Sequence, residues 1–103
     1  MINHHADVQK YSSATKAEAV ASLVKYCARA LKSRDSALVA VSDPEELKRI
    51  KVGFAKKKLG LSAEAADAGI KAAAAAMKGV RAKSRVTFYY LLAEATGTLG
   101  KLS

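Results

Sequence analysis

The chain has one proline, Pro44, set between Asp43 and Glu45-Glu46-Leu47, and that setting fits the start of a helix better than any other structure. With Asp43 as N-cap, Pro44 takes the first helical position. Its missing N–H removes nothing there, its fixed φ suits the helix, and Glu46 lies three residues on, as in a capping box. With Ser42 as the cap, Glu45 takes that role. Leu47, Ile50 and Phe54 then recur at helical spacing, while Lys48, Arg49, Lys51 and Lys56 to Lys58 cover the remainder. Three lysines near the end suit the negative pole of the helix dipole, and Gly60 supplies the φ > 0 position that closes such helices. Leu61 is placed to fold back over that last turn.

The segments on either side are read in the same way. Asp7 to Tyr11 makes a short helical turn with Val8 and Tyr11 facing inward. Thr15-Lys16-Ala17-Glu18 has the form of a capping box, and Val20, Leu23, Val24, Cys27 and Leu31 then hold one apolar face, predicting a helix from about Lys16 to about Lys32. Ala37 to Val41 is a short apolar run, either extended or one helical turn. With no second strand to pair with, it is expected to be a buried connector. Ser62 caps a further helix whose inner side is Ala66, Ile70, Ala73, Met77 and Val80, and Gly79 stops it. The tract Ala72 to Ala76 has high helix propensity and small side chains that let a neighbouring helix approach.

The last element, Ser84 to Thr96, holds Val86-Thr87-Phe88-Tyr89-Tyr90 in succession, a strand-prone run. It nevertheless continues into Leu-Leu-Ala-Glu-Ala, exceeds a typical strand in length and ends at Gly97, so a helix is predicted. Apolar on nearly every side, it should be the most buried helix, and the tail from Thr98 should fray. The expected fold is all-α, a compact bundle of four principal helices plus a short N-terminal helical turn. Residues 1–103 then form a single helical domain, with the other helices wrapped around the last.

A chain of 103 residues can bury one core without a metal or disulfide. Eighteen Lys and Arg against nine Asp and Glu give a net charge of +9, which draws anionic surfaces and repels further copies of the chain. The single Cys27 cannot form an internal disulfide, and no run is apolar enough for a signal peptide or membrane span, so a cytoplasmic protein is expected.

Three patches, Asp7-Val8-Gln9-Lys10-Tyr11, Ser42-Asp43-Pro44-Glu45-Glu46-Leu47 to Lys57-Lys58-Leu59-Gly60-Leu61, and Lys83-Ser84-Arg85-Val86-Thr87-Phe88-Tyr89-Tyr90-Leu91-Leu92-Ala93-Glu94, resemble in order and spacing a family of small single-domain bacterial proteins catalogued as a domain of unknown function. The resemblance spans nearly the whole chain and implies a compact helical bacterial protein. It carries no activity with it.

The residues offer little for catalysis. His4 and His5 are adjacent near a terminus, whereas a helical metal site needs ligands on one face, and a His4–Asp7 pairing is a poor start for one. Cys27 lies on an apolar stripe and reads as a buried small hydrophobe. No Ser-His-Asp set, paired carboxylates or glycine-rich phosphate loop appears, so neither catalytic residue, cofactor nor metal is expected. An enzymatic reading would need a pocket lined by Glu94, Tyr89 and Arg85. Tyr89 and Tyr90 beside Arg81, Lys83 and Arg85 could stack bases, but both rings read as core.

The basic residues form two clusters, Lys56, Lys57 and Lys58 at one end of the bundle and Arg81, Lys83 and Arg85 at the other, both candidates for anion binding. The second lies near Asp43, Glu45 and Glu46, which leaves the three lysines as the more open patch. The leading expectation is a non-enzymatic binding module whose basic surface meets an anionic partner, nucleic acid or acidic protein, away from membranes. The alternative is a protein-interaction or structural domain, self-associating through the alanine-rich face, with no nucleic-acid role.

Overall fold

In the computed structural model, which describes residues 4–12, 15–32, 37–80 and 83–102, the central helix starts at Asp43. Asp43 Oδ1 accepts a hydrogen bond from the Glu45 N–H at 3.0 Å, with Pro44 in the first turn of helix α4, Pro44–Arg49. Helices α1 (His4–Gln9), α2 (Ala17–Tyr26) and α3 (Ala28–Leu31) precede it; α5 (Ala63–Ala76), α6 (Arg85–Ala95) and a 3-10 turn (Leu99–Lys101) follow. The result is an all-α fold with a radius of gyration of 12.1 Å, close to the ~13 Å of a single packed domain of about 100 residues.

Beyond Arg49 the winding changes. Ile50–Lys58 is π-helical, continuous with α4, and buries Ile50, Phe54 and Ala55, with Leu59 buried just past its end. The physical reason is in the spacing. Large apolar residues return at 50, 54 and 59, and i→i+5 bonding keeps Leu59 on the inner side, where tighter α-winding would turn Lys57 or Lys58 inward. The closure is widened to match. Leu59 N–H donates to Phe54 O, Gly60 N–H to Lys56 O, and Leu61 N–H to Ala55 O. The last two form the paired closure of a Schellman motif with one extra residue in each ring. Gly60 supplies the expected positive φ, +69°, and Leu61 packs against the core.

Helix α6 is the centre of the molecule. Val86 through Ala93 are all buried, and α1, α2 and α5 pack around them. Tertiary burial has overridden the strand propensity of Val-Thr-Phe-Tyr-Tyr, since the run is apolar enough to be enclosed on every side. Helix α5 begins at Ser62, whose Oγ accepts from Ala65 N–H at 3.2 Å, and turns Ala66, Gly69, Ile70, Ala73 and Met77 inward. Ala72, Ala75 and Ala76 lie outside.

Four local expectations are corrected. The helix from Lys16 does not run to Lys32 but breaks at Cys27 (φ −90°, ψ 6°) and resumes as the short α3. Thr15 forms no capping box; its hydroxyl donates to Ser12 O, and the Lys16 N–H is held by the Tyr90 hydroxyl at 3.0 Å, a partner 74 residues away that no local motif encodes. The connector at 37–41 does find a pairing partner. Val39 N–H donates to Lys83 O and Arg85 N–H to Ala37 O, each at 2.8 Å, forming an isolated antiparallel bridge with the entry to α6. The tail is packed instead of frayed, with Leu102 buried beneath the 3-10 turn. Outside the sheet-like bridge, α1 is fastened to α6 by the Thr87 hydroxyl donating to Asp7, and the Ser12 hydroxyl reaches Glu94 at 2.6 Å.

Candidate functional site

The break at Cys27 sets the geometry of the site. Ending α2 at Tyr26 leaves that ring at the surface, 46% exposed, beside the last turn of the π-helical segment. Lys58 Nζ lies 5.7 Å from its centroid, and Lys56 and Lys57 are exposed on the same turn. Beneath Tyr26 the aromatic contacts continue inward. Its centroid is 5.5 Å from that of Phe54, and Phe54 is stacked on Tyr89 at 4.1 Å and 17°. Such offset rings add about 0.5–1.5 kcal/mol per pair beyond burial. An aromatic column therefore runs from a cation-flanked surface ring into the core.

Its inner end is polar. Tyr89 accepts a hydrogen bond from Arg85 Nη1 at 2.9 Å through its hydroxyl. Arg85 Nη2 pairs with Glu46 Oε1 and donates to Leu38 O at 3.2 Å. Their side chains are only 12% and 13% exposed, so this is an internal ion pair that ties α6 to α4 and to the bridge segment. Burial works against the charge of Arg85, but the Tyr89 hydroxyl and the Glu46 carboxylate outweigh it and hold the guanidinium protonated. Burial raises the Tyr89 phenol, with Arg85 opposing. It pushes the Cys27 thiol up to about 11, again against the pull of Arg85, and a thiol so held is not a nucleophile at neutral pH.

The anion-binding candidates therefore separate. Lys56, Lys57 and Lys58 are exposed, with Lys58 alone set against an aromatic ring. Arg85 is engaged inside, and Lys83 is half-buried with Nζ on Val80 O at 2.6 Å, so neither extends the open patch. Arg81 lies outside the described residues. Glu46 does not complete a capping box, because its carboxylate turns to Arg85. Tyr89 and Tyr90 are core, as read from the sequence. Glu94 sits at the opposite end of α6 from Arg85, exposed and holding Ser12, so Glu94, Tyr89 and Arg85 line no common pocket. The carboxylate of Asp7 is taken up by Thr87 and by Lys10 at 3.7 Å.

The sequence reading missed Tyr26. The signal was available, since position 26 lies beside the stripe of Ala19, Val20, Leu23 and Cys27 and follows Lys25. A ring at the flank of a stripe meets solvent on one side. Two cavities open elsewhere, along the seam between the central helix and α5. One of about 450 Å³ is lined by Pro44, Leu47 and Ile70 with lysines at its rim, and a smaller one of about 170 Å³ lies beside Val52 and Leu61.

These features define a small, basic, all-helical domain built on a central buried helix, with one surface aromatic among lysines. The chain belongs to the DUF2853 family, described as a protein of unknown function, whose sequence pattern matches residues 3–100. No curated protein matches it. No helix among the described residues is long and apolar enough to cross a membrane.

Proposed function

We propose that this domain is a non-enzymatic, cytoplasmic binding module that holds single-stranded nucleic acid on the surface formed by Tyr26 and Lys56 to Lys58. The observation that carries the reading is the half-exposed Tyr26 ring with Lys58 5.7 Å from its centroid. An aromatic face takes any base by stacking, and adjacent cations take the phosphates, which is how sequence-tolerant single-strand binders work. The net charge of +9 supports the approach of such a polyanion. Tyr26 is also braced by Phe54, which lowers the ordering cost of the ring, and the Lys58 ammonium over it would pass to a phosphate as a base stacks.

The test is a titration of a fluorescein-labelled oligothymidylate followed by polarisation at several salt concentrations. With three lysines each neutralising one phosphate, log K should fall with log salt at a slope of about −2. Tyr26→Ala should weaken binding by about tenfold or more, and Tyr26→Phe should retain it, since stacking on one ring is worth about 1–3 kcal/mol. Undetectable binding at low salt, or binding indifferent to salt, would remove the nucleic-acid reading.

A further inference from the structure

The two cavities along the seam between the central helix and α5 adjoin. Lys51 lines both, and its Nζ reaches across the seam to Asp67, on the wall of the larger one, at 3.1 Å. The larger cavity is floored by Leu47 and Ile70, and the smaller by Leu61 beside the 46%-exposed Val52. Lys48 and Lys71 stand at the rim of the first and Lys56 at the rim of the second. Among the described residues none of these three makes an ion pair, and Asp67, the single acid of the seam, is already engaged by Lys51.

An aliphatic floor in two adjoining compartments under a cationic rim has a definite complement. It is a chain with two apolar side chains, one for each compartment, and carboxylates flanking them. Nucleic acid fits poorly, because the seam has no aromatic ring on which a base could stack. A small apolar ligand would use the floor and leave the lysines unmatched. We propose that this seam is a docking groove for an acidic segment of a partner protein, with its apolar residues seated over Leu47–Ile70 and Val52–Leu61 and its carboxylates on Lys48, Lys71 and Lys56. The Lys51–Asp67 pair is solvent-exposed and so weakly held that an incoming carboxylate can take Lys51 from it. The groove shares only Lys56 with the proposed nucleic-acid surface, and its apolar floor and the lysines Lys48 and Lys71 lie apart from Tyr26, Lys57 and Lys58.

The experiment is selection of a random dodecapeptide phage library on the full chain, with counterselection against the Lys48→Glu/Lys71→Glu variant. Both positions are exposed, and circular dichroism checks that the variant keeps its helices. The expected consensus is two large apolar residues among Asp and Glu. A synthetic peptide of that consensus should shift amide resonances of residues 47–56 and 61–71 and bind the double variant at least tenfold more weakly. Val52→Asp should weaken it too. A basic consensus, no consensus at all, unchanged affinity for the double variant, or shifts centred on Tyr26 and Lys58 would each overturn the proposal. Displacement of the peptide by oligothymidylate that persists in a Lys56→Ala variant, where the shared lysine is gone, would overturn it as well.

Discussion

Removing the Glu46 carboxylate takes an anionic partner from a largely buried guanidinium. Breaking a buried pair from one side is costly, because the remaining charge keeps its desolvation penalty. Glu46→Ala should therefore cost about 3 kcal/mol in urea unfolding. Replacing both partners, Glu46→Leu with Arg85→Met, should cost less than the sum of the single changes by about 1 kcal/mol or more. Strict additivity would show that the pair does not couple α4 to α6. Cys27 gives the second residue-scale prediction, on pH. Its thiol titrates near 11 in the fold against an ordinary 9.0, so the unfolded chain loses its proton first as the solution becomes alkaline. Stability is intact below pH 9 and falls between 9 and 11, by at most about 1.4 kcal/mol per pH unit from this group. Tyr89 and Tyr26, raised mainly by burial, act in the same direction. Cys27→Ala should flatten the fall in melting temperature across pH 9–11, and a loss equally steep without the thiol would rule out Cys27 as its source.

Two glycines inside helical segments should respond to alanine with opposite signs. At Gly69 a Cβ would stand 2.7 Å from Thr96 Cγ2 and 3.1 Å from Leu92 Cγ. Thr96 cannot swing aside freely, because its hydroxyl is fixed on Leu92 O at 2.9 Å and Ala93 O at 3.2 Å. The helix-propensity gain of up to about 1 kcal/mol is then outweighed by overpacking of about 1–3 kcal/mol, and Gly69→Ala should lose about 1 kcal/mol. Adding Thr96→Ser, which removes the methyl and keeps the hydroxyl, should recover much of it. Gly53 has nothing within 4 Å of its Cβ position, so Gly53→Ala should gain about 0.5–1 kcal/mol. Thermal melts of both decide the matter, and equal signs would mean that the α5–α6 contact is looser than its geometry. The same elements mark what the sequence could and could not express. Asp43-Pro44, Ser62, Gly60, Gly79 and Gly97 are local signals, and each of the three glycines has positive φ at the end predicted for it. The π-winding was hidden, because Leu47, Ile50 and Phe54 fit an α-helix equally well and only Leu59 separates the two. The start of α2 was hidden for another reason, its partner being the hydroxyl of Tyr90 near the far end of the chain. For the candidate site, the open lysines could be read from the chain, and so could the approach of Arg85 to the acids of α4. The exposed ring was legible only in part, from its place at the flank of the α2 stripe, since how far it is exposed depends on where α2 breaks.

At the scale of the molecule, charge sets the remaining behaviour. The described residues hold three ion pairs, Lys10–Asp7, Lys51–Asp67 and Arg85–Glu46, against a net charge of +9. The body measures 33 × 27 × 26 Å. In about 10 mM salt the screening length is ~30 Å, so nearly every cation repels every other, while at about 0.15 M it shrinks to ~8 Å and only neighbours interact. Screening should therefore relieve more repulsion than it weakens attraction, two of the three pairs being exposed and worth little. The melting temperature should rise between these concentrations, by about 4–8 °C if the relief is about 1 kcal/mol. A flat or falling curve would mean that the ion pairs outweigh the repulsion. The direction also separates stability from function. Salt should strengthen the fold while weakening its hold on nucleic acid, so a binding loss accompanied by a rising melting temperature comes from released counterions and not from an unfolding protein. Were affinity and melting temperature to fall together, the salt dependence of binding would carry no information about Lys56 to Lys58, and only the Tyr26 variants would still test the surface.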